Sequence, residues 1–178
     1  MNRTLVALAF AIGVSALPLS AIAEQVAVTH VEYSNDTISQ GGKTIVCVVT
    51  MVAISPPDPR VLNFQFLMAK NGLGWKITGG LKDWKTMNMV ANRVTDGGFT
   101  SGGFYHDKDF KKKLTPEGQL IGTLQTLSLF PSFLQAFSSA PYTVRVRWEN
   151  GHDDVAYYID QSPDPKIIDT LNACYKTL

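Results

Sequence analysis

The sequence predicts an α+β domain: predominantly antiparallel β-sheet with two or three short helices, including a C-terminal helix tied to a central strand by a disulfide. Three observations predict it. Short runs of β-branched and aromatic residues recur between glycine and proline turns, with no alternating strand-then-helix rhythm. A capped amphipathic segment closes the chain. Two cysteines, Cys47 and Cys174, stand in apolar surroundings far apart in sequence.

The first 23 residues are set apart from this domain. Arg3 provides a positive start, Leu5 to Val14 an apolar core, and Ala21-Ile22-Ala23 a small-x-small cleavage site, which together read as a bacterial-type signal peptide. No lipidatable cysteine sits at the cut. The expected mature chain is one globular β-rich domain over residues 24–178, in the periplasm or secreted. Its length supports a single hydrophobic core.

Val26 to Tyr33 alternates as a first strand, and Asn35-Asp36 and Gln40-Gly41-Gly42 are turn material. Lys43 to Ile54 (KTIVCVVTMVAI) is nearly all apolar and reads as a central strand buried on both faces. Ser55-Pro56-Pro57-Asp58-Pro59 must end it, because proline cannot donate to a ladder. Val61 to Lys70 and Trp75 to Leu81 form a hairpin across Asn71-Gly72-Leu73-Gly74, with Leu62, Phe64 and Phe66 on one face. Over Lys82 to Arg93, Trp84, Met87 and Val90 or Ala91 fit a short helix. Gln119 to Leu127 is the next clear strand.

Phe130, Phe133, Leu134 and Phe137 recur at helical spacing, with Pro131 at a first-turn position. Tyr142 to Trp148 (YTVRVRW) alternates strictly, placing Arg145 and Arg147 outward. Glu149 to His152 turns, and Val155 to Ile159 pairs back. In the final helix Asp164 caps, Pro165 follows, and Ile167, Ile168, Leu171, Cys174 and Tyr175 share a face. Cys174 then points toward the core and toward Cys47. A bond there closes most of the mature chain into one loop, worth roughly 4 to 5 kcal/mol in the chain-entropy model. Six to eight strands are expected in all.

Composition narrows the function classes. Without the leader, 15 basic residues balance 15 acidic ones, which argues against nucleic acid as a partner. No later apolar run approaches a transmembrane segment. No cofactor motif is present: there is no C-x-x-C, no G-x-S-x-G and no compact histidine pair. His30, His106 and His152 would have to converge with acids to build a metal-dependent or hydrolytic site.

The sharper candidates lie between Asp96 and Lys113. G-G-F occurs twice, so a glycine-rich loop could present Phe99, Phe104 and Tyr105, while packing those rings into a bulged strand pair is the competing reading. His106 follows, and then Lys108, Lys111, Lys112 and Lys113 form a basic cluster suited to an anionic surface. Arg145 and Arg147 extend that cluster only if the fold brings them together. The expectation is an exported, non-enzymatic binding or interaction module. Its partner would be a protein or anionic envelope component, or a small apolar ligand. A small exported hydrolase or metal-dependent enzyme using His and Asp residues, and an envelope-assembly or structural component, are the alternatives.

Overall fold

The computed structural model describes residues 24–101, 105–106, 110–126, 130–149 and 154–178. They form a mostly antiparallel β structure in two sheets, with the C-terminal helix bonded to a central strand.

The larger sheet has seven strands. Its path runs β2 (His30–Gln40), β3 (Lys43–Ile54), β4 (Arg60–Ala69), β5 (Gly72–Lys82), β10 (Leu120–Leu124) and β9 (Lys111–Leu114), and β6 (Met89–Ala91) pairs beside β10 on β5. The smaller sheet has five strands in the order β1 (Glu24–Ala27), β12 (Val155–Ile159), β11 (Tyr142–Trp148), β7 (Val94–Ser101) and β8 (Tyr105–His106). Within it β1 runs parallel to β12, against the antiparallel rule of the rest. The helices are α1 (Phe130–Ser138) and α2 (Pro165–Tyr175).

The core lies between the sheets. Odd-numbered residues of β3 and even-numbered residues of β4 point into it, so Val49, Met51, Ala53, Leu62 and Phe64 are fully buried. Phe99 of β7 meets Phe64 and Phe66 at 5.6 and 5.3 Å between ring centroids. Trp148 of β11 lies over Gly79 of β5, where any larger residue would collide with its indole. A polar link joins the same layers: Tyr33 hydroxyl donates to the Gln161 carbonyl at 2.7 Å and lies 2.6 Å from Tyr142 hydroxyl, which also reaches Met51 Sδ. Burial pushes the Tyr33 phenol up to about 12.

The helices pack on the sheets, α2 against β2 and β3 and α1 against α2 and β8. Asp164 Oδ1 accepts from Lys166 N at 2.7 Å, Pro165 opens the first turn, and Leu171 is buried. Cys174 is bonded to Cys47, with Cα atoms 6.0 Å apart. Phe137 of α1 packs on Phe66 at 4.6 Å, and Phe130 on Tyr175 at 4.8 Å.

Several sequence expectations are corrected. The short helix expected over Lys82 to Arg93 is absent: the segment is turn and edge strand, and Trp84, Met87 and Val90 mimic helical spacing without a face to bury. Twelve strands are found among the described residues, more than the six to eight expected. One cause is that the first strand breaks at Val28-Thr29, and β2 then runs through Asn35-Asp36 to the turn at Gly41-Gly42, both at positive φ. Cross-strand pairing with the apolar β3 overrides the local turn preference of those two residues. The β4–β5 hairpin turns at Lys70-Asn71, tighter than expected, because Gly72 and Gly74 serve within the strand. From Cys47 on β3 buries its odd-numbered face wholly, whereas Thr50 and Val52 on the other are only half-covered.

Candidate functional site

The charged residues that sequence scattered over sixty positions meet at one cleft of about 380 Å³ on the outer face of the smaller sheet. Strand alternation builds it. Val144, Val146 and Trp148 enter the core, so Thr143, Arg145 and Arg147 must face outward. The register sets Arg145 between Gly98 of β7 and Ala156 of β12, and Arg147 beside Asp96. A glycine and an alanine next to a long guanidinium leave a hollow rather than a filled surface.

Asp154 holds the two arginines in place. Its side chain is 9% exposed, whereas those of Arg145 and Arg147 are 55% and 54% exposed. Arg147 Nε and Nη2 donate to its carboxylate at 2.6 and 3.0 Å, and Arg145 Nη2 donates to Oδ2. The hydrogen bond from Arg147 is the main cause that holds the Asp154 carboxyl below its ordinary value, with Arg145 adding to it against the effect of burial.

Because the folded value is the lower one, this link contributes fully above the ordinary carboxylate range, about pH 4. It is lost as pH falls through the lowered value. Asp154→Asn is therefore expected to flatten the fall of Tm with acidification below about pH 4. Parallel wild-type and variant curves from pH 6 to pH 2 would refute the assignment.

Lys112 reaches the cleft from the other sheet. On β9 it stands opposite Gly122, which stands opposite Trp75 across β10 and β5. Its ammonium passes 5.9 Å from the Trp75 ring centroid, donates to the Gly97 carbonyl at 2.7 Å and lies 3.9 Å from the Asp96 carboxylate. An inward-leaning lysine on an edge strand also discourages pairing with another chain. Lys111 and Lys113 flank it, exposed, and by alternation project from the opposite face.

The structure thus divides the residues singled out in the sequence. Of the lysine cluster, Lys112 alone among the described residues lines the cleft with Arg145 and Arg147; Lys111 and Lys113 do not. Phe99 is removed from the surface: it is 0% exposed, because its place in β7 puts the ring on the core side. Tyr105 and His106 form β8, against Ser101 and Thr100. Phe104, Lys108 and His152 lie outside the described residues. His30 is exposed on β2, with Nε2 3.2 Å from Glu32 Oε1. Among the described residues no group of three His, Cys, Asp or Glu could hold a metal ion, and no helix is long and apolar enough to cross a membrane.

Sequence reasoning missed Asp154, Asp96 and Thr143. Only the outward i, i+2 arginine pair marks this face in the sequence; the acid that clasps it arrives from another segment. No protein-family model, curated protein or solved structure matches this chain.

Proposed function

We propose that this chain is an exported, non-enzymatic binding module, and that the cleft takes an anionic group of its partner, an envelope component or an acidic protein. An export leader over residues 1–23 belongs to the same reading. The observation that carries it is the convergence of Lys112, Arg145 and Arg147 on one hollow. Two guanidiniums oriented by a common carboxylate present their remaining N–H donors in fixed directions, the arrangement that recognises carboxylate or phosphate. More than half of each arginine side chain stays open to an incoming group.

The test is a titration of the mature chain with an acidic peptide and with glycerol phosphate, followed by backbone amide shifts. Shifts are expected at Gly98, Thr100 and Thr143, which line the cleft. Arg145→Gln is expected to weaken binding about tenfold, the value of one hydrogen bond to a charged group. Asp154 keeps both bonds from Arg147 in that variant, so Tm should move by less than about 3 °C. Lys70→Gln, outside the cleft, serves as the control. Equal affinity for Arg145→Gln and wild type, or shifts confined elsewhere, would reject the cleft as the site.

A further inference from the structure

Residues 85–91 are exposed without interruption. Within them lie Met87, Met89 and Val90, at 61%, 55% and 69% exposure the most open large hydrophobic residues among those described. Three such side chains fall within four positions, a concentration unlike the single exposed apolar residues of an ordinary surface.

The segment is built to be presented. Asp83 Oδ1 accepts from Lys85 N at 2.8 Å and Oδ2 from Thr86 Oγ1 at 2.8 Å, while Asp83 N donates to the Asn88 carbonyl at 2.9 Å. The loop so closed holds Met87 at φ +61°, a conformation a methionine rarely adopts. At the base Trp84 Nε1 donates to the Asp58 carbonyl at 2.8 Å, and Lys82 Nζ lies 4.7 Å from the Trp84 ring centroid. β6 is then seated on Gly80 to Lys82 of β5.

We propose that this tip inserts into the headgroup boundary of an anionic phospholipid bilayer. The charge around it fits that surface. Lys82 and Lys85 precede the apolar residues, and the acid between them, Asp83, turns its carboxylate onto the loop's own N–H and O–H groups. Lysines beside an apolar insertion draw it to anionic headgroups while the apolar side chains enter the acyl boundary. A half-buried tryptophan at the base is the residue type that prefers that depth. The shape fits as well. Seven successive exposed residues leave the segment open along its length, and a bilayer accepts an open segment without needing a complementary groove. The tip shares no residue with the cleft.

The experiment is sedimentation of the mature chain with vesicles of phosphatidylglycerol and phosphatidylcholine, and with vesicles of phosphatidylcholine alone. Wild type is expected to bind the anionic vesicles at least tenfold more tightly than the neutral ones. Met87→Ser/Met89→Ser/Val90→Ser is expected to lose at least tenfold in partitioning with an unchanged circular dichroism spectrum. Lys82→Gln/Lys85→Gln is expected to abolish the preference for phosphatidylglycerol. Arg145→Gln should bind vesicles as wild type does, which separates this proposal from the cleft. Absence of vesicle binding, retention by the triple serine variant, or loss in Arg145→Gln alone would each overturn it. So would a self-association that the triple variant abolishes in solution without lipid, which would assign the tip to a second copy.

Discussion

Opening the Cys47–Cys174 bond is expected to lower Tm by about 10–20 °C. The bond spans 127 residues, so its removal returns about 5 kcal/mol of loop entropy to the unfolded chain. For a domain of this size each kcal/mol is worth about 2–4 °C. The native side of the balance points the same way. α2 rests on β2, β3 and α1, with Leu171 as its one fully buried side chain. Ile167, Ile168 and Tyr175 pack only half-buried on the core, so a helix that loosens without its tether also weakens the Phe130–Tyr175 contact. The measurement is a thermal melt of wild type with and without reductant, beside Cys47→Ser/Cys174→Ser. A shift below about 3 °C would mean that the unfolded chain is already compact, or that the helix docks without its tether.

Trp75→Ala is expected to cost about 4 kcal/mol in denaturant melting. The indole is fully buried on β5, between Phe64 at 6.3 Å and Phe110 at 6.2 Å. Its position depends on a neighbour with no side chain: a Cβ at Gly122 would fall inside the ring. Gly122→Ala alone is therefore expected to cost about 1–3 kcal/mol by overpacking. With Trp75→Ala present the added methyl has room, and the double variant should lose clearly less than the two single costs together. Additive costs would show that residue 122 does not compete with the indole. The consequence extends to the cleft, because Lys112 lies over that same ring on its way to Gly97. Trp75→Ala should therefore also loosen the cationic group that β9 contributes.

These packing relations show how far the sequence carried. β3, β11 and β12 keep the boundaries read from their composition, because an unbroken apolar run or a strict alternation leaves one way to bury the residues. The final helix was equally legible, since Asp164, Pro165 and the apolar face all agree. The segment over 82–93 was not. Its apolar residues recur at helical spacing, yet Asp83 closes a local turn with its side chain, and Asp and Asn in turns compete with helix in just this way. Phe99 was also undecided in sequence: glycines on both sides suit an open loop or a strand, and only pairing with β11 selects the strand.

By itself, then, the sequence determined an antiparallel β-rich domain, a C-terminal helix and a bond between Cys47 and Cys174, because periodicity, capping and cysteine context are local properties written in neighbouring residues. Tertiary structure decided which charges share a surface. Lys112, Arg145 and Asp154 come from three segments, and their meeting depends on strand order, on register and on the small residues Gly98 and Ala156 beside Arg145. Register is a long-range quantity: a shift of one residue would turn the arginines into the core and the valines to solvent.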